Sequence, residues 1–480
     1  MLEVVLLKKE VKTLWLQDFN LCSMKNVTAV FDIGKTNKKF FLFDKNFKEV
    51  HKEYISFEEI EDEDGHPTEN LPALQKWLKA VFNRILEAKE FDVKAINFST
   101  YGASLVHIDE DGNPLTPLYN YTKPLPEEIV TSFFEAYGPK EAFLQNTGCA
   151  DLSMLNSGLQ LYWLKKSQPE VFSKIKYSLH LPQYLSYVFT GIPLSEYTSI
   201  GCHTALWDYE KKDYHSWVYK EGFDKILPPI VSTETSINMN YNGNRIKIGV
   251  GIHDSSAALL PYVRSIKKKF ILVSTGTWSI VFNPFTENPI SNDIHNTDTI
   301  NYMRINGKPV KATRIFLGNE YKVQVEKLNE RFGVNDDFHR QVKFDYDTYL
   351  EIMKDFNFCY KWESIFDEDM PDKTKMLYHK YEHAYHQLMT ELVLLQIKCI
   401  KKAIGTDPIK RIYIDGGFSN NDIYIKLLSH NFRDKKLSTT DASLGSALGA
   451  AISISDNKLN SKFLKENYAL KKHVPFIVSG

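Results

Sequence analysis

The chain has 480 residues, 43% of them apolar and 25% charged, which suits two large domains better than one and carries no compositional sign of disorder. Its 59 basic and 60 acidic side chains leave a formal net charge of -1, so no global field draws in nucleic acid or an anionic membrane, and the expected partners are small molecules. Five cysteines (Cys22, Cys149, Cys202, Cys359 and Cys399) are scattered and never form a CxxC pair, which argues against a disulfide framework and a zinc site and for a reducing cytoplasm.

Residues 1–26 contain only short apolar runs broken by charges, so they read neither as a secretory segment nor as a membrane span. Because Met24 stands just before the first convincing strand, residues 1–23 are expected to be an upstream extension from a start codon placed too early. The stretch AVFDIGKTNKKFFLFD, residues 29–44, then sets two apolar runs around a turn crowded with donors and positive charge: Gly34, Lys35, Thr36, Asn37, Lys38 and Lys39. Such a turn can receive a phosphate chain through backbone and side-chain donors. Asp32, ending the first run, would repel phosphate unless a divalent cation intervened, so it reads as a Mg²⁺ carboxylate or, failing that, as a turn former.

A helix with apolar residues at three- and four-residue spacing is predicted over 71–91, followed by a buried strand over 93–102, giving a β-β-α-β order. Residues 148–207 look helical and substrate-facing rather than part of a sheet. A strand ending near Gly251 marks the expected boundary between two halves. Immediately after it, GIHDSSAALLP places Asp254 before a small-residue helix, where a carboxylate either caps the helix or accepts a proton from a substrate hydroxyl. His253 beside it could bond a sugar hydroxyl or serve structure alone.

FILVSTGTWSIVF, residues 270–282, echoes the first hairpin, with Gly34 and Gly276 242 residues apart, about half the chain. Ser274, Thr275, Gly276 and Thr277 offer uncharged donors to the other side of a triphosphate; Trp278 reads as a core residue. Residues 336–375 are charged and rich in Phe and Tyr. A helix over 378–404 closed by Gly405 leads to the strand RIYID and the turn GGFSNN, in which Gly416 and Gly417 admit a nucleotide to the backbone and Asn421 could bond its base or ribose, unless this is a plain strand-to-helix turn. The small-residue helix ASLGSALGAA follows at 442–451. Strands alternating with helices imply an α/β fold with a mixed sheet in each half.

The order of these signals resembles that of the FGGY carbohydrate kinases, relatives of actin, hexokinase and Hsp70, over about residues 27–454. HDSSA and STGTWSI are most similar to the rhamnulokinase and fuculokinase branch, as are INFSTYGASLVHID, LPQYLSYVFTG and SEYTS. The resemblance implies two ribonuclease-H-like (actin/hexokinase-like ATPase) domains closing over a nucleotide cleft: a sugar-binding domain at 27–252 and a nucleotide-binding domain at 253–480, behind an extension at 1–26. It further implies ATP and Mg²⁺, with Asp254 as catalytic base and Asp32 and Asp254 at the metal. Gly34, Lys35, Thr36, Asn37 and Lys39 would form the first phosphate loop, and Thr275, Gly276 and Thr277 the second. Gly416, Gly417 and Asn421 would surround the nucleoside; Tyr101, Gly102, His253 and Asp254 would face the sugar.

Three residues depart from the family pattern. Ser104 stands where many of these kinases carry a sugar-binding aspartate, Phe418 replaces a third glycine, and Lys35 replaces the commoner threonine. The expected function is transfer of phosphate from ATP to a hydroxyl of a small neutral ketose, a 6-deoxyketose such as L-rhamnulose or L-fuculose or a pentulose such as xylulose, since 99–104 and 251–256 hold no Lys or Arg. The rival expectations are a silent sugar or nucleotide sensor and an actin- or Hsp70-like ATPase. Neither nucleic acid nor membrane is expected as a partner; a homodimer is left open.

Overall fold

The computed structural model describes residues 24–286, 298–365 and 378–476. The expected extension at 1–23 lies outside them. Strands β1 (Lys25–Ile33), β2 (Lys38–Asp44) and β3 (Glu49–Ile55) run antiparallel, helix α1 (Leu71–Ala88) crosses over, and β4 (Phe91–Thr100) returns parallel to β1. Helix α1 forms because Leu71, Leu74, Leu78, Val81, Phe82 and Ile85 make one buried stripe, while the Asn70 side chain accepts from the Ala73 amide at its start.

After helix α2 (Leu181–Thr190), strands β5 (Ser236–Tyr241), β6 (Asn244–Gly249) and β7 (Ile252–His253) complete a sheet of order β5-β6-β4-β1-β2-β3, with β7 beside β4. The region expected to be helical at 148–207 holds α2 and a helix at Ser157–Ser167, but it also contributes Tyr177–His180, which pairs antiparallel with Leu105–Ile108.

The second half starts with α3 (Asp254–Ser265) and builds another sheet from β8 (Phe270–Thr275), β9 (Ser279–Asn283), β10 (Thr299–Met303), β11 (Pro309–Ile315), β12 (Arg411–Gly416), β13 (Lys436–Thr439) and β14 (Lys471–His473), in the order β10-β11-β9-β8-β12-β13-β14. Around it lie α4 (Leu317–Phe332), α5 (Tyr381–Ile404), α6 (Asp422–Asn431) and α7 (Gly445–Ser453). Three antiparallel strands followed by parallel ones thus occur twice, as β3-β2-β1-β4-β6 and β11-β9-β8-β12-β13. This is the expected ribonuclease-H-like plan, with β3 as a strand that the β-β-α-β reading lacked.

Alternate residues of the central strands face opposite layers, as a sheet covered on both sides requires. On β1, Ala29 and Phe31 join an outer core with α1 and α2, while Val30 joins a middle core; on β8, Ile271 and Val273 meet α5 while Phe270 and Leu272 face the middle. The middle layer is α3 and α7. They cross so closely that a Cβ on Gly449 would stand 1.9 Å from the Ala257 carbonyl oxygen. Asn97 of β4 ties this layer down, donating to Ala450 O (2.8 Å) and Ser453 Oγ (2.9 Å) and accepting from Gly251 N (3.1 Å). Among the described residues no helix is long and apolar enough to cross a membrane.

Candidate active site

The first hairpin places Asp32 and Lys39 opposite one another in the β1–β2 register, both in phase with the middle-layer residues Val30 and Phe41 and so directed to the side between the sheets. The Asp32 carboxylate is buried and accepts from Ser446 Oγ of α7 (2.9 Å). Burial raises its pKa to about 6, against the lowering influence of Lys39 and Ser446; the Asp254 charge pushes it further up. At the tip, Thr36 and Asn37 are exposed, Gly34 N donates to Asn37 O (3.0 Å), and Lys35 reaches the exposed Glu59.

Lys38 is the surprise of this loop. In phase with Phe40 and Leu42 it points into the outer layer, where it is 2% exposed and donates from Nζ to Glu69 Oε2 (2.8 Å) and to Lys35 O (2.9 Å). The Tyr101 hydroxyl donates to the same Glu69 oxygen (3.3 Å). One buried ion pair therefore ties the first glycine turn to the turn that carries Tyr101 and Gly102. Ser104, also buried, hydrogen-bonds the Tyr101 side chain instead of offering a carboxylate.

At the junction of β7 and α3, His253 occupies the N-cap position and makes no side-chain cap bond, and Asp254 is the first helical residue. The capping alternative for Asp254 is thereby set aside. Its side chain is 34% exposed, lies 3.3 Å from His253 Nε2 and accepts from Ser255 Oγ (3.1 Å). Burial of the carboxylate raises its pKa to about 6. His253 is buried and pushed down to about 3, so its ring is neutral; Cys202 Sγ lies 3.2 Å from Nε2, and the His253 amide donates to Thr198 Oγ1 (3.0 Å). Tyr302 stacks on the imidazole with ring centres 5.7 Å apart, and a Cβ on Gly102 would approach Nε2 to 3.0 Å. Tyr121 packs against Tyr101, and the Asp254 charge adds to the burial that raises its hydroxyl pKa.

The second hairpin carries Gly276 and Thr277 exposed at its tip. Thr275 is placed differently from the sequence expectation of a free donor: its hydroxyl donates to Asp415 O and accepts from Phe418 N (3.0 Å), fastening the hairpin to the Gly-Gly turn. Gly416 adopts φ 81°, and a Cβ there would lie 1.9 Å from Thr275 O, so only glycine fits. Asn421 also differs. Its Oδ1 accepts from Tyr424 N (3.0 Å) at the start of α6 and its Nδ2 donates to Tyr385 OH (2.9 Å), which commits both ends of the amide within the protein. Thr275, Gly276, Phe418 and Asn421 line a cavity of about 430 Å³ together with Gly318, Tyr321, Tyr385 and Gly417. Phe418 turns away from solvent between Tyr321 and Tyr424, with ring centres 5.0 and 4.9 Å away. Trp278 corrects the core expectation: it is 43% exposed, packed at a tilt against Phe316 (4.5 Å) beneath the Arg314 guanidinium (5.2 Å), because the hairpin tip leaves no layer to cover it.

Residues 27–258 match the N-terminal domain of the FGGY family of carbohydrate kinases. A rhamnulokinase of Halalkalibacterium halodurans is 24% identical over 265 residues, 53% of this chain and 56% of that protein; one from Oceanobacillus iheyensis is 22% identical over 366 residues, 70% and 73% of the two chains. Residues 27–258 are thus similar to the N-terminal domain of the FGGY carbohydrate kinases. The alignment with the first of these relatives spans little more than half of that protein's length. Solved structures carry the fold across nearly the whole chain. A carbohydrate kinase from Novosphingobium aromaticivorans superposes with TM-score 0.75 at 21% identity, covering 94% of this chain and 95% of that one. A xylulose kinase from Lactobacillus acidophilus gives 0.73 at 15% identity, covering 94% of each. Both halves thus share the two-domain actin/hexokinase-like architecture.

Sequence reasoning missed several residues of this site: Glu69, Tyr121, Cys202, Tyr302, Arg314, Gly318, Tyr321 and Tyr385. It read Lys38 as a phosphate-loop donor, whereas the buried pair with Glu69 takes that side chain out of the loop, as its phase with the inward residues of β2 signals. For the others, which come from distant segments, no local pattern marks them.

Proposed function

We propose that this chain transfers the terminal phosphoryl group of ATP to a hydroxyl of a small neutral ketose, with residues 27–252 on the sugar side and 253–480 on the nucleotide side. The observation that carries this reading is Asp254, a half-buried carboxylate at the junction between the two sheets, next to a neutral His253 and near the buried Asp32. Above pH 6 Asp254 is mostly ionised and can accept the proton of an attacking hydroxyl. His253, held neutral, does not compete for that proton. Tyr101, Gly102 and His253 wall the sugar, while the glycine turns at Gly34, Gly276 and Gly416 let phosphate and nucleoside approach the backbone. Closure of the two halves excludes water, which would otherwise compete with the sugar as nucleophile.

Mg²⁺ fits Asp32 and Asp254, two carboxylates close enough for the Asp254 charge to disfavour ionisation of Asp32, an effect that works against the favourable charge of Lys39. Among the described residues no group of three or more potential ligands is close enough to hold a metal, which suits an ion that completes its shell with phosphate and water. When bound it would offset the charge of the phosphates.

The test is ADP release with L-rhamnulose, L-fuculose, L-ribulose, D-xylulose and glycerol in turn. Since the curated relatives carry the name rhamnulokinase, L-rhamnulose is the ketose expected to support the fastest release. Release that ignores sugar would make the chain an ATPase of the actin or Hsp70 kind; no release with any compound would make it a sensor.

A further inference from the structure

Arg314 lies on β11 opposite Ile280 of β9, in phase with Val310 and Ala312, which belong to the middle core. Its side chain is therefore directed to the side between the sheets. The guanidinium stands over the exposed Trp278, the residue that follows Thr277 at the tip of the second hairpin. On its other side its charge reaches His203 and Tyr302, and Tyr302 is stacked on His253 next to Asp254. The cation thus sits between the proposed phosphate loop and the proposed base.

Nothing in the described residues neutralises it. Arg314 forms no ion pair there, and its Nε is buried without a hydrogen-bond partner. A half-buried guanidinium has five donors in a fixed fork and cannot shed its charge, so leaving it unpaired costs free energy unless an anion arrives. Aromatic stacking holds the group in place but satisfies none of the donors.

We propose that Arg314 is a catalytic residue whose guanidinium receives an anionic oxygen of the phosphoryl group in transit between ATP and the sugar. The inference rests on the kinase reading. In the step, the bond from the terminal phosphorus to the bridging oxygen of the ADP leaving group breaks, a new P–O bond forms to the sugar oxygen, and the hydroxyl proton passes to Asp254. Arg314 exchanges no proton; it balances charge on the oxygens that move. The neutral-sugar expectation rested on two segments free of Lys and Arg, and it survives because this cation is assigned to phosphate.

Two variants test it: Arg314→Met, close in shape without charge, and Arg314→Lys, which keeps the charge and loses the fork. Both should melt near the parent temperature. The methionine variant should lose about 10²- to 10³-fold in kcat, the cost of removing one transition-state donor, while KM for the best ketose stays within about threefold. The lysine variant should recover part of the loss. Calorimetric binding of inorganic tripolyphosphate should weaken about tenfold or more in Arg314→Met, with ADP binding held. A methionine variant that turns over within about threefold of the parent overturns the proposal, as does a parent that prefers a sugar acid and an Arg314→Met change confined to the KM of that acid. If the parent shows no sugar-dependent turnover, the kinase reading falls and tripolyphosphate binding decides alone: unchanged affinity sinks the anion site, and lost affinity supports it.

Discussion

Asparagine at position 254 separates proton removal from everything else the carboxylate does. Because His253 holds the N-cap position, Asp254→Asn should leave the melting temperature unchanged, while kcat on the best ketose falls by roughly 10²- to 10⁴-fold. A folded variant within about tenfold of the parent would remove Asp254 as the base. The parent should show the matching pH profile: with Asp254 and Asp32 both at about 6 and both needed ionised, kcat/KM is level above that value and falls as protons are added below it. Lys38 and Glu69, 2% and 4% exposed in their side chains, make a second residue-scale prediction. Lys38→Met strands a buried carboxylate and should cost roughly 3–5 kcal/mol in urea unfolding, most of it recovered when Glu69→Gln is added. A single-variant loss no larger than that of an exposed pair would show the ion pair to be dispensable. Asp32 and Asp254 were legible because a carboxylate closing an apolar run is a local signal. The Glu69 partner of Lys38 was not, since 31 residues separate them and only the fold brings them together.

At the scale of elements, glycine positions report where one piece of backbone presses on another. Gly318 is the sharpest case: it lies in the first turn of α4, and a Cβ there would meet Gly276 O at 1.9 Å. Alanine is intrinsically better than glycine in a helix by about 1 kcal/mol, so any harm from Gly318→Ala comes from the displaced hairpin. The expected result is a KM for ATP raised about tenfold with sugar binding intact; unchanged KM for ATP would mean that the second hairpin does not hold phosphate. The long helix α5 was legible to within three residues of its start because its apolar period is sustained and Gly405 ends it. Strand β3 was not. Its sequence EVHKEYI is mostly charged and polar, as an edge strand's often is, and lacks the apolar run that marks a covered one. Trp278 was misread for a related reason: residue type alone suggested burial, whereas the length of the hairpin decides exposure.

For the molecule as a whole, the halves repeat in plan but not in independence. The middle core joins Val30 and Phe41 of the first sheet, Leu259 and Leu260 of α3, Ala447 and Ala450 of α7, and Leu272 of the second sheet. Both helices come from the second half, so the first sheet lacks a covering layer if the chain is divided. Residues 24–252 made alone should fail to show a cooperative thermal transition, and a cooperative melt of that piece would refute this. The duplication was legible from two glycine hairpins half a chain apart. That its two copies share one filling was not, because neither helix is marked by its sequence as belonging to both.

The crossing of α3 and α7 is made by Gly445 and Gly449 against Ala258 and Ala257, a contact of small groups and bare backbone. Such a surface works as a plain bearing: where these small groups meet, no bulky side chain resists rotation of one sheet about the other, and the drag on closure comes chiefly from water leaving the cleft. Where closure limits turnover, kcat should fall in proportion to solvent viscosity as sucrose is added, and a rate indifferent to viscosity would place the slow step in chemistry.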